Sequence, residues 1–310
     1  MSSIEVRNNL TAPHKGKASP LHALISARTQ LSENFSTAET EVQSLWTVDW
    51  WGLSCSDVFL AMNPEMQIAA LSACNRTLLN EAYFIEKSGL AYTAKMVLMS
   101  ESTDVAQLYA LIGADEARHL AWIEPYLEEE EKCRPGGQFL AFLSRLIEDV
   151  EPRLLIYLVQ IILEGWGLDH YRRLADGCQQ PMLSHIWSSI LKDEALHHRS
   201  GTILFDGHSL SALDLSLVED CLKCYSDMVR VGPQAALNAV DIAAGGLSQQ
   251  QVEDVLMALR HPEESTRKLR LLHDLMRQPG LEILVDRLSE NDQFVPMSLQ
   301  DAARSYLAVP

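Results

Sequence analysis

The sequence predicts an all-α protein, and three observations carry that prediction. Gly (15 of 310 residues) and Pro (12) are scarce while Leu and Ala dominate, which favours long helices. No stretch alternates apolar and polar residues long enough to make a half-buried strand. Apolar residues recur instead at helical spacing, in segments bounded by Pro, Gly and Ser. With 47% hydrophobic residues the chain can bury a sizeable core. No clean linker divides it, so one elaborated helical domain over 1–310 is expected.

Residues 1–20, rich in Ser, Pro, Lys and Gly, read as an irregular arm, and a short helix over about 21–32 follows Pro20. Another helix is expected from Ser36 or Thr37, since Glu39 stands three residues after Ser36 in a capping-box pattern; it runs on through Leu45, Trp46, Trp50 and Trp51. Pro64 suits the first turn of a long helix over 64–99. Asp104 or a neighbour opens the next, which extends to about the acidic run Glu128 to Glu131, read as a solvated end. RPGG at 134–137 makes a turn. A helical region over 138–175 follows, broken or kinked at Pro152, and ADGCQQP leads into a helix over 181–205. Beyond DGHS at 206–209, helices are expected over 212–230, 233–244, 248–259 and 263–277, separated by GP, GG and HPEE. The tail after 279 holds one more short helix.

Charge excludes one class of partner. Lys and Arg number 25 against 42 Asp and Glu, a net charge of −17, and no stretch supplies the basic face that nucleic acid requires. The N-terminus lacks the apolar core of a secretion signal. The most apolar segment, LLIYLVQIILEGWG at 154–167, falls short of the roughly 20 residues of a membrane span. A cytoplasmic location without a membrane span is therefore expected. Cys55, Cys74, Cys133, Cys178, Cys221 and Cys224 are scattered, as reduced thiols are. The Cys221–Cys224 pair lacks a second pair to complete a structural zinc site.

The informative feature is a repeated motif, ADEARH at 114–119 and KDEALH at 192–197. Each places His three positions after Glu, so Glu116 with His119, and Glu194 with His197, share one side of a helix and can address one ion. A site of two such pairs needs single carboxylates from two more helices. Glu164, in ILEGWGLDHY, is the donor in the second half. In the first half Glu81 and Glu86 compete. E-K-S-G-L at 86–90 resembles E-G-W-G-L at 164–168, and Glu86 precedes Glu116 by 30 residues as Glu164 precedes Glu194 by 30. Glu86 is preferred, with Glu81 as the alternative. Carboxylate oxygen and imidazole nitrogen together suit first-row ions such as iron or manganese.

Glu86, Glu116, His119, Glu164, Glu194 and His197 closely resemble the ligand set of the ferritin-like diiron-carboxylate superfamily, over roughly residues 64–205. DEARH with the second DExxH is similar to the signature of diiron oxygenases and oxidases, including bacterial multicomponent monooxygenase hydroxylases. The resemblance implies a ferritin-like four-helix bundle with additional N- and C-terminal helices. It implies two Fe ions, or a Mn/Fe pair, with O2 as cosubstrate. It further implies oxidation of a small organic substrate by hydroxylation, desaturation, N-oxygenation or oxidative C–C cleavage. Electrons would come from a ferredoxin, a reductase or the substrate itself, and a homodimer is compatible with the pattern. Two departures stand out. Leu196 replaces the Arg that Arg118 supplies in the first motif, and Ile190 stands where related arylamine N-oxygenases carry an extra histidine. His170 or His198 are the candidates for such a further ligand. A radical-generating subunit resembling the small subunit of ribonucleotide reductase, and a ferritin-like iron-handling protein, are the alternative readings.

Asp115 and Asp193 each stand four residues before a motif histidine, where each can bond the outward nitrogen of its own helix's His119 or His197 and fix the tautomer. Arg118 can pair with one of these acids. Tyr109, Tyr157 and Trp187 each lie seven residues before a proposed glutamate ligand, two turns along the same face. Core packing is their first reading, and electron relay the second. Trp166, between Gly165 and Gly167, suggests a substrate pocket near the metals.

Overall fold

The computed structural model describes residues 45–133 and 137–308. The arm, the helix over 21–32, the helix start near Ser36 and most of RPGG lie outside them. The described residues contain no strand. Several helix starts fall where the sequence supplies caps. Asn63 accepts a hydrogen bond from the Met66 amide, and Pro64 opens α1 (Pro64–Met99). The chain reverses into α2 (Thr103–Ile123), and α3 (Gln138–Asp149) follows. Pro152 starts the rod α4, α-helical at Pro152–Leu155, π-helical at Ile156–Leu163 and α-helical again at Glu164–Gly177. Gln180 caps α5 (Pro181–Leu204).

In the core bundle α1 packs along α2, α4 along α5, and α2 against α5, with α3 laid on α1. The later helices form two outer groups. α6 (Ala212–Arg230) contacts α9 (Glu263–Met276) and α10 (Glu282–Glu290), and α9 rests on α4. α7 (Gln234–Ala244) lies along α1, and α8 (Gln249–Ala258) joins it to α11 (Leu299–Leu307). Ser211 and Ser248 form capping boxes with Asp214 and Gln251 at the starts of α6 and α8. Among the described residues no helix is long and apolar enough to cross a membrane.

Four local expectations fail. Leu45 and Trp46 are not helical. The Thr47 hydroxyl caps a single turn, Val48–Trp51, which ends at Gly52 in the left-handed region (φ 82°). α2 stops at Ile123, short of the acidic run, because Pro125 has no amide to donate and forces a 3-10 turn at Glu124–Tyr126. That run is not wholly solvated either, since Glu131 lies 3.0 Å from Arg76 and accepts the Glu128 amide. The tail holds two helices rather than one, the second capped by Ser298.

Candidate metal centre

The core buries charge where apolar side chains would cost less. Glu86 is 1% exposed, Glu116 5%, His119 0%, Glu194 5% and His197 2%. Carboxylates at such depth need cations or protons close by. The four core helices bring the side chains together: Glu86 from α1, Glu116 and His119 from α2, Glu164 from α4, Glu194 and His197 from α5. They form two groups able to hold a metal ion, Glu86, Glu116, His119 and Glu194 in one, Glu116, Glu164 and His197 in the other.

Glu116 belongs to both. Its Oε2 lies 3.8 Å from His119 Nδ1 and its Oε1 3.4 Å from His197 Nδ1. Glu194 Oε1 is nearly equidistant from the same nitrogens, at 3.6 and 3.7 Å. Glu86 Oε2 lies 3.0 Å from His119 Nδ1. Glu164 Oε2 and His197 Nδ1 are buried without a hydrogen-bond partner. Such orphaned atoms cost about 1–3 kcal/mol each, a cost that a coordinated cation removes. Six O and N donors, two of them unsatisfied, fit a pair of first-row ions.

The outward nitrogens are held across the bundle, not within each helix. His119 Nε2 is 3.1 Å from Asp193 Oδ2, and His197 Nε2 is 3.2 Å from Asp115 Oδ2. This reverses the expected pairing of each Asp with the histidine four residues on. In each ring Nδ1, the nitrogen nearer the backbone, faces the Glu three residues earlier; the distal Nε2 therefore reaches the opposite helix. An ionised Asp only accepts, so it keeps the proton on Nε2 and leaves the Nδ1 lone pair for the centre. Arg118 bonds Asp115 and lies 3.5 Å from Asp193 Oδ2, so it pairs with both acids.

Protons and metal ions compete for these donors. Burial pushes the Glu116 carboxyl up to about 8, opposed by its hydrogen bond to His119 and reinforced by Glu194 and Glu86. Burial, then Glu194, carries Glu164 well above the usual carboxylate range. Burial alone would depress His119, but Glu86 and the hydrogen bonds to Asp193 and Glu116 hold it well above its ordinary value. Burial also opposes a charged Glu86, yet His119, Glu116 and Tyr171 hold its carboxyl below its ordinary value. Metal binding must therefore displace protons.

Several supporting residues escaped sequence reasoning. Tyr171 Oη donates to Glu86 Oε1; its position seven residues after Glu164, on the same face of α4, was the available signal. Gln160, within the π-helical stretch, accepts from Tyr92 (3.0 Å) and Tyr109 (2.8 Å), and donates to the His197 carbonyl (2.9 Å) and Ser200 Oγ (2.6 Å). Its amide thus links α1, α2 and α5 beside the centre, and π-helical turns recur at functional sites. Gly89 lets α2 approach, since a Cβ there would stand 2.6 Å from Glu116 Oε2.

The remaining candidates lie elsewhere. Glu81 is half-buried and outside both groups; burial raises its carboxyl, with Lys268 opposing. His170 and His198 also lie outside the groups, His198 Nδ1 being 3.4 Å from the Gln160 carbonyl. Trp166 does line a cavity of about 260 Å³, with Trp50, Trp51, His170, Arg173 and Lys268. At 100° per residue, however, Trp166, His170 and Arg173 face away from Glu164 and Tyr171, so this cavity is not the expected pocket beside the metals. Tyr109, Tyr157 and Trp187 are fully buried in the core. Cys221 is buried and Cys224 exposed, both as free thiols.

No family model, curated protein or solved structure matches the chain. Geometry alone defines the class: an all-helical protein whose paired Glu/His groups resemble a ferritin-like diiron site.

Proposed function

We propose that this chain is a non-haem dimetal oxidoreductase that uses dioxygen to oxidise a small organic substrate. The observation that carries the reading is Glu116, whose two oxygens face His119 and His197 separately, the arrangement of a carboxylate shared by two ions. Glu86 and His119 would complete one ion, Glu164 and His197 the other, with Glu194 between them. Four carboxylates would balance two divalent cations, which makes the burial of so much charge affordable. An iron or mixed manganese–iron pair would supply the electrons and the oxygen chemistry. Asp115 and Asp193 fix both imidazole tautomers, and the apolar helix faces exclude water. A ferredoxin, a reductase or the substrate would return electrons, and hydroxylation, desaturation, N-oxygenation and oxidative C–C cleavage all suit such a centre.

Anaerobic loading with ferrous iron, then a dioxygen pulse followed by Mössbauer spectroscopy, tests the reading. It requires a ferrous pair in each chain that oxidises to a coupled diferric pair. Isolated mononuclear iron, or ferrous iron inert to dioxygen, would refute it.

A further inference from the structure

A file of aromatic rings leads away from Glu86. Tyr171, whose hydroxyl donates to that carboxylate, stacks on Trp187 with centroids 5.7 Å apart and planes 15° apart. Trp187 lies 6.4 Å from Trp46, Trp46 5.9 Å from Trp50, and Trp50 5.0 Å from Trp51. Trp187 and Trp46 are fully buried, whereas Trp50 and Trp51 are half-buried and line the cavity on the outer side of α4. The path thus runs from a candidate metal ligand to a solvent-accessible recess.

Packing alone does not account for a tryptophan at 187. Trp187 Nε1 is buried without a hydrogen-bond partner. An indole N–H normally finds an acceptor when buried, and Phe would fill much of the space without that cost. The missing acceptor has a chemical consequence. Among the described residues no base stands at the ring nitrogen of Trp187 to take the proton of an oxidised indole, so the hole is not trapped there. Trp46 Nε1 donates to the neutral Leu174 carbonyl and Trp51 Nε1 to the neutral Asn75 amide oxygen, at 3.1 and 2.8 Å. Among the described residues, Tyr171 alone of the file bonds a carboxylate. The phenol can therefore give up electron and proton together, and the indoles pass an electron alone.

We propose that Tyr171, Trp187, Trp46 and the Trp50–Trp51 pair form a relay that carries oxidising equivalents from the metal centre to the surface when no substrate consumes them. The relay rests on the dioxygen-activating reading of the centre, whose oxidised metals are the oxidant. Tyr171 gives one electron to that centre and its phenolic proton to Glu86. Trp187 then gives one electron to the tyrosyl radical, which takes the proton back. Trp46 reduces Trp187, and Trp50 reduces Trp46. A one-electron reductant of the ascorbate class fills the last hole from solution; without it the Trp50 or Trp51 radical cation loses its N–H proton to the recess, and the neutral radical adds dioxygen to give a peroxyl that one further electron and proton convert to an oxygenated indole.

The test uses the full chain, loaded anaerobically with ferrous iron and exposed to dioxygen without substrate. Iron oxidation is followed by absorbance, and oxygen incorporation at each tryptophan by peptide mass spectrometry, with half-buried Trp166 as the reference outside the file. Oxidation at Trp50 and Trp51 ahead of Trp166 is expected, with its loss on adding ascorbate and in Trp187→Phe. Trp46→Phe cuts the next link and serves if the first variant does not fold. Iron oxidation with unchanged Trp50 and Trp51 oxidation in a folded variant would overturn the relay alone. No oxidation of iron by dioxygen would overturn the relay and the proposed function together.

Discussion

Asp193 on α5 holds His119 on α2, its Oδ2 3.1 Å from the ring's Nε2. The reciprocal bond from His197 to Asp115 makes the two motifs brace one another. Each acid should therefore act on the histidine of the other motif. Asp193→Ala is expected to weaken metal binding about 10–100-fold. In the cobalt-loaded protein it should remove the shifted N–H proton resonance of His119 while leaving that of His197. Asp115→Ala should do the opposite, and same-helix effects would contradict the crossed arrangement.

The two candidate carboxylates of α1 should separate cleanly. Glu86 touches His119 and Tyr171, whereas Glu81 lies outside both groups. Glu86→Ala should abolish stoichiometric loading of the pair, and Glu81→Ala should leave it intact. Ferrous titration under argon, read by bound iron per chain, decides between them. Equal losses in the two variants would count against Glu86 as a ligand.

The six residues that gather in the two Glu/His groups could be read from sequence because their spacing is periodic. Glu and His three apart share a helix face whatever surrounds them, and the equal 30-residue spacings tie each single Glu to its motif. The crossed Asp bonds could not be read this way, because they depend on which imidazole nitrogen turns inward and on how α2 and α5 oppose. Nor could the π-helical stretch, since Ile156–Leu163 is an ordinary apolar run. The outward face of Trp166 was legible, by counting 200° from Glu164. The two C-terminal helices after Pro279 were under-read because the second rests on one Ser298–Asp301 cap rather than on a long apolar pattern.

Gln160 should matter more for stability than its neutral side chain suggests. Gln160→Leu would strand the hydroxyls of Tyr92 and Tyr109 deep in the bundle, while the His197 carbonyl keeps its bond from Ser200 Oγ. A loss of about 2–4 kcal/mol is expected, from one to three kcal/mol per stranded group with partial relaxation. Urea unfolding of the metal-free protein measures it without the contribution of bound ions. A loss under about 1 kcal/mol would show that the amide does not fasten these helices.

His170 should give the fold an acid-sensitive component separate from the metal ligands. Burial, then the cations Lys268 and Arg173, lower its imidazole to about 4, while Asp169 and Glu86 pull the other way. Its Nε2 has no hydrogen-bond partner, so the neutral ring is the form the fold accepts. The unfolded chain binds a proton near pH 6.5, and the folded chain resists it until about pH 4. Between those values the unfolded state holds more protons, so stability falls as pH falls. The contribution is fully present above pH 6.5 and lost on descending to about 4, with a size of order 3 kcal/mol. His170→Gln removes the titrating group. The difference in unfolding free energy between wild type and variant, measured by urea from pH 7.5 to 4.5, should therefore slope with pH below 6.5 and flatten above it. A difference that stays constant across that range would show that His170 is protonated as readily in the folded chain as in the unfolded one.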